Sequence, residues 1–156
     1  MNHKPKKCKS LIANQKKKDP IPTLMIQDEA LENAAMVEYL GDIFNAKGDN
    51  SDMIQDRVRR GIAAMVSTEA IMTDLNLGTH TVSVYMLLYQ ALFLSTMLFN
   101  SQAWSNVSKK DIENLQTCQL KMLKRITGGA RCTSNAFRFL ELGVLPISYE
   151  IHKRQL

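Results

Sequence analysis

The spacing of apolar positions changes near residue 50, and the change divides the chain. Upstream, the apolar runs are short and bounded by turn-forming residues. Ser10-Leu-Ile-Ala13, Thr23-Leu-Met-Ile-Gln27 and the stretch from Ala35 to Phe44 each read as an extended element. Between the first two lies the loop Asn14–Pro22, with three lysines and two prolines, and Asp28-Glu29 forms the next turn. The result is a small β-meander or a pair of hairpins. In the last element, Glu38-Tyr-Leu-Gly-Asp-Ile-Phe-Asn-Ala-Lys-Gly48, Leu40 and Ile43 are the apolar anchors toward the helices that follow. Gly41 gives the backbone room for a tight bend, and Asn45-Ala-Lys-Gly48 stops the run.

Beyond Gly48 the period becomes helical. Ser51 or Asp52 caps a first helix whose apolar positions Ile54, Val58, Ile62 and Met65 recur in steps of three and four. Arg57 and Arg60 fall on another side. Gly61 falls on the apolar side, where a missing side chain permits close helix packing at some cost in helix propensity. Asn76-Leu-Gly78 breaks the chain, and Thr79 or Thr81 caps a second helix reaching about Asn100. Ser108-Lys-Lys-Asp111 is similar to a capping box with Asp in place of Glu, and it opens a third helix that ends at Thr127, before Gly128-Gly129. At about 100° per residue, Ile112, Leu115, Gln119, Met122, Leu123 and Ile126 share one side of this helix. Lys121, Lys124 and Arg125 cluster opposite. Ser134 caps a fourth helix to Leu142, and Pro146 opens a fifth. The expected fold class is α+β, mostly α: a small N-terminal β-hairpin region followed by a bundle of four to five helices. The expected divisions are 1–50, 51–130 and 131–156.

Charge sharpens this picture. The net charge of +5 conceals seven lysines and no acid in residues 1–18, six bases against thirteen acids in 19–119, and seven bases against two acids in 120–156. Two basic ends around an acidic middle point to a polyanionic partner. The three basic side chains of the third helix could follow a phosphate backbone, although a solvated bundle face has the same pattern. From Leu75 to Ser108 there is no Asp, Glu, Lys or Arg, and Val82–Phe99 is about long enough for a membrane span. Ser83, Gln90, Ser95 and Thr96 interrupt that run, and no cluster of basic residues flanks it. A surrounded helix at the centre of a bundle accounts for it better, so no membrane partner is expected.

Chemistry is sparse. The three cysteines (Cys8, Cys118 and Cys132) form no C-x-x-C pair, which suggests a reducing compartment. His3, His80 and His152 lie near no cysteine at ligand spacing, so no structural metal is expected. The start has no apolar segment of signal-peptide type, so an intracellular location, nuclear or cytoplasmic, is expected. Phosphate-binding, dinucleotide, zinc-protease and nucleophile-elbow motifs are absent. Asp42, Asp49, Asp52 and Asp56 are the nearest candidates for a metal-binding carboxylate pair, but Asp49 and Asp52 flank a helix start, where acids are favoured for structural reasons. Cys118 has no basic activator nearby. No catalytic residue is assigned.

Several segments, in order, resemble the part of non-LTR (LINE-like) retrotransposon reverse transcriptases that follows the catalytic aspartates. Pro5-Lys-Lys7-Cys8-Lys-Ser-Leu11 is similar to the family's Asn-Pro-x-Lys segment, with Lys4 standing where Asn is usual. Glu38-Tyr39-Leu40-Gly41, followed by Ile43, resembles its Tyr-Leu-Gly corner. Arg57-Val-Arg-Arg60 and Leu88-Tyr-Gln-Ala-Leu92 leading to Trp104 follow in the family's order. Leu120-Lys-Met-Leu-Lys-Arg-Ile-Thr-Gly128 and Leu140-Glu-Leu-Gly-Val-Leu-Pro146 resemble elements of the thumb and the region beyond it.

The resemblance implies a palm remnant over 1–50, a thumb-like domain over 51–130 and the start of a post-thumb region over 131–156. It implies an RNA–DNA hybrid, or other nucleic acid, as partner. Tyr39, Leu40 and Gly41 would press the primer strand, and Arg57, Arg60, Lys121, Lys124 and Arg125 would contact nucleic acid. Synthesis in the intact family uses magnesium held by aspartates that would lie upstream, so this segment is expected to be no enzyme alone and to hold no cofactor. Two other readings fit the residues: a helical interaction module that recruits a partner or self-associates through exposed apolar helix surface, and a single-span membrane protein using 82–99.

Overall fold

The computed structural model describes residues 8–14, 20–26, 28–74, 82–105, 107–128 and 132–156. Lys4, Pro5 and Lys7, the break at Asn76–Gly78, the candidate caps Thr79 and Thr81, and Gly129 lie outside the described residues. The chain is α+β and mostly helical, with small strand pairs followed by helices. It divides into two compact units, Met1–Met53 and Ile54–Leu156.

In the first unit, β1 (Lys9–Ser10) pairs in parallel with β4 (Glu32–Asn33), and β2 (Met25–Ile26) pairs antiparallel with β3 (Glu29–Ala30). These strands are shorter than the apolar runs suggest. Leu11–Ala13 is not strand, and Glu29 leaves the expected turn to join β3, with Asp28 at φ 63° making the bend. The stretch from Ala35 to Phe44 is a second correction, because it folds back on itself. β5 (Met36–Tyr39) and β6 (Asp42–Asn45) form an antiparallel hairpin with Tyr39 opposite Asp42. That register leaves a two-residue loop, Leu40-Gly41, with φ at 51° and 82°. Positive φ at both central positions defines a type I′ turn, whose twist matches that of the flanking strands. Leu40 is 77% exposed, so it does not anchor the turn as its apolar character suggested.

The Asn45–Gly48 stop forms as expected: Gly48 N donates to Asn45 O at 3.1 Å, with Gly48 at φ 70°. Asn14 lies so close that a Cβ on Gly48 would meet its amide at 2.7 Å. The buried Asn45 amide donates to Asp49 at 2.8 Å and to Asp52 at 2.7 Å, all within the first unit, where the chain enters α1 (Ser51–Asp74). Asp49 Oδ1 also accepts from Ser51 N and Ser51 Oγ. The Ser51 hydroxyl first, and then Asn45, hold the Asp49 carboxyl down at about 2. Because this value is lowered on folding, the clamp is fully present above the ordinary carboxylate range and is lost as pH falls toward 2. An NMR titration of the Asp49 carboxyl should show Ser51→Ala raising its midpoint more than Asn45→Ala does. The reverse order would overturn this ranking of the two contacts.

In the helical unit, α1 buries Ile54, Met65 and Met72, while Ile62 is 40% exposed, contrary to its place in the period. α2 (Val82–Leu88), a π-helical segment (Tyr89–Leu94) and α3 (Ser95–Met97) run on as one rod. The wider π turn leaves Tyr89 and Phe93 stacked at 5.5 Å in the core, beside Leu94. Gly61 of α1 is buried under Met97, the close packing expected of it. The rod is not the surrounded helix its composition suggested. It belongs to one helical segment, Val82–Ala103, long and apolar enough to cross a membrane, yet only 28% of that segment's apolar window is buried.

α4 (Lys109–Thr127) has the expected bounds. Ser108 Oγ accepts from Asp111 N at 3.2 Å and donates to Asp111 Oδ2 at 2.6 Å, so the acid bonds the cap's hydroxyl rather than its backbone N–H. Gly128 closes the helix at φ 58°. α5 (Asn135–Leu142) has the Ser134 cap, and α6 (Ile147–Gln155) follows Pro146. Gln119, fully buried, joins three of these parts. Its Nε2 donates to Tyr89 OH at 2.8 Å and to Leu145 O at 2.9 Å, and its Oε1 accepts from Ile147 N at 2.9 Å. All of its polar capacity toward the core is used.

Candidate nucleic-acid interface

The hairpin tip is the most distinctive surface of the first unit. An L-residue in the left-handed region costs about 1–2 kcal/mol, and Asn or Gly is the usual choice there. Leu40 takes that conformation and also leaves its side chain in solvent. Folding alone gives no reason for this combination. Tyr39 is 64% exposed beside it, and the register places Phe44, also exposed, diagonally across the pair on the same face as Tyr39. Tyr39, Leu40 and Gly41 are thus brought together at one corner. Phe44 is a contact that periodicity missed; only the two-residue loop, once known, sets the alternation that puts it there. Leu40→Asn should tighten the hairpin by about 1 kcal/mol, since Asn-Gly is the favoured type I′ pair. Amide exchange across 37–44 would then slow roughly fivefold. Exchange that is unchanged or faster would sink the claim of strain at Leu40.

On the helical unit, the basic residues divide by environment. Lys121, Lys124 and Arg125 are all exposed on the side of α4 opposite its buried face. Arg125 reaches across to an ion pair with Glu69 of α1, and Lys121 and Lys124 have no partner of that kind among the described residues. Lys121 stands at the rim of a groove of about 240 Å³ between α1 and α4, lined by Gln55, Val58, Ile62, Asn114, Thr117 and Cys118. Cys118 Sγ lies 3.9 Å from Val58 O; burial pushes its thiol up, against the pull of Lys121, a basic neighbour that the sequence reading did not find.

The α1 arginines depart from the expectation. Arg57 is 3% exposed, with its guanidinium 4.7 Å from the centre of the Phe99 ring. The cation is used inside the unit, as the flat guanidinium allows. Arg57 therefore leaves the phosphate-facing set. Arg60 is half-buried and bonded to Asp56, which also accepts from Arg59 at 2.6 Å. Burial alone would raise the Asp56 carboxyl, but the two arginines outweigh it and hold it below its ordinary value. Arg59, with 79% of its side chain exposed, presents a cation that the motif reading passed over.

Asp49 and Asp52 are committed to Asn45, and no group of three or more metal-binding side chains occurs among the described residues. Compared with protein-family models, curated proteins and solved structures, the chain matches none.

Proposed function

We propose that this chain handles a nucleic-acid duplex in the way its resemblance to the palm end and thumb of a non-LTR retrotransposon reverse transcriptase implies. The observation that carries the proposal is the Tyr39-Leu40-Gly41 corner. A strained type I′ loop holds Leu40 out in solvent, with Tyr39 and Phe44 on one flank. Strain kept where packing does not need it points to use. Exposed aromatic and apolar side chains of this kind suit stacking on a base or sugar at a strand end. The exposed Lys121 and Lys124 supply the second, electrostatic element, one that positions the backbone without reading sequence. The proposed role is binding; synthesis belongs to the aspartates and magnesium of the intact family enzyme.

Fluorescence anisotropy of the full chain with a short RNA–DNA hybrid tests this across a salt series. Affinity should fall as salt rises, and Lys121→Ala with Lys124→Ala should lower the log–log slope by about 2. Arg125→Ala should add less, because Glu69 already engages that guanidinium. Leu40→Asn should weaken binding at a hybrid end while leaving the salt slope alone. Binding that ignores all of these substitutions would refute the proposal.

A further inference from the structure

The rod from Val82 to Met97 and the turn after it carry an exposed stripe that the nucleic-acid reading does not use. Ser83, Leu87, Ala91, Ser95 and Phe99 follow at intervals of four and are all exposed, with Leu87 at 64% and Phe99 at 47%. Soluble surfaces seldom leave such side chains aligned without a partner. The stripe alternates in size, and the order is symmetric about its centre. When the stripe is reversed and laid on itself about Ala91, Leu87 meets Ser95 and Phe99 meets Ser83. Each large side chain then faces a small one, and Ala91 faces its own copy, where two backbones can approach closely. Charge points to the same occupant. No Asp, Glu, Lys or Arg occurs from Leu75 to Ser108, so two copies of this face bring no like charges together. The stripe's own side chains offer a nucleic acid no cation and a charged peptide no counter-ion, and Arg57, which lies against Phe99, is 3% exposed and held inside the unit.

We propose that a second copy of this chain docks here, its 82–99 segment antiparallel to the first about a two-fold axis at Ala91. The contact is isologous, so it closes at two copies. Because the stripe bears no charge, the dimer should persist at high salt, where hybrid binding fails. The inference stands apart from the nucleic-acid reading, and a failure of either leaves the other in place.

Cysteine scanning of the full chain in a Cys8→Ser, Cys132→Ser background tests the geometry; the buried Cys118 stays. On mild oxidation, Ala91→Cys should link to itself. Leu87→Cys alone should not link to itself, but should link when mixed with Ser95→Cys. Leu87→Arg, at an exposed position that leaves helix content unchanged, should raise the dimer dissociation constant by about 100-fold in sedimentation equilibrium. Self-linked Leu87→Cys would mean a parallel pair and overturn the proposal. A chain that stays monomeric at high micromolar concentration would do the same. So would one that sediments with phospholipid vesicles and resists carbonate extraction, because this face would then be covered by lipid.

Discussion

Gln119→Ala is expected to destabilise the helical unit by about 3 kcal/mol, with its thermal midpoint falling by roughly 10 °C or more. The cost is unequal across the partners Gln119 now serves. Ile147 N keeps an alternative acceptor, Gln116 Oε1 at 3.2 Å, and Leu145 is partly exposed, so its carbonyl can turn to water. Tyr89 has no such recourse. It is 1% exposed, and without the Gln119 donor its hydroxyl oxygen is left in the core beside a new void. Tyr89→Phe alone should cost about 1 kcal/mol and should cost less in the Gln119→Ala background, where the stranded hydroxyl is already a liability. Trp104, buried and the only tryptophan, reports the unfolding. Additive losses would show that the pair is not coupled. Burial pushes the Tyr89 phenol up to about 12, from an ordinary value of 10. A value raised on folding gives stability that is fully present below pH 10 and is lost as pH climbs toward 12. Tyr89→Phe should flatten that alkaline limb.

The helices were legible because single residues mark their ends. Ser108, Gly128, Ser134 and Pro146 each perform a local chemical task that does not depend on the rest of the fold. β1, β3 and β4 were not legible, since a two-residue strand has no period, and Glu29–Ala30 looks in sequence like the turn beside it. The corner at Tyr39-Leu40-Gly41 could be read, but the fate of its leucine could not. Periodicity assigns an apolar residue inward, whereas a type I′ tip points it away from both strands. Arg57 reverses that error: a charge was taken as outward, and the Phe99 ring that accepts it lies forty-two positions along the chain. The π segment shows the same limit. Composition made 82–99 look buried on every side, while the helices available cover only part of it. What periodicity cannot supply is the number of neighbours an element has, and that number decides which apolar faces remain open.

Gly61 allows one test of helix-to-helix distance. A Cβ built there would sit 3.3 Å from Met97 Sδ and 3.5 Å from Met97 Cβ and Cγ. Gly61→Ala is expected to be close to neutral, since up to about 1 kcal/mol of helix propensity offsets a shift of the flexible thioether by a few tenths of an ångström. Gly61→Leu should cost about 3 kcal/mol, because a Cβ alone already meets Met97 and a side chain of that size would push α1 away from the rod. Two controls separate this from a general intolerance of α1 to bulk. Ala63→Leu, at an exposed position two residues on, should be nearly neutral, and Met97→Ala should recover part of the loss in the Gly61→Leu background. Urea unfolding followed at Trp104 gives all four values on one scale. If Gly61→Leu unfolds no more easily than Ala63→Leu, α1 and the rod are not in the contact described, and the buried faces of both helices would have to be reassigned.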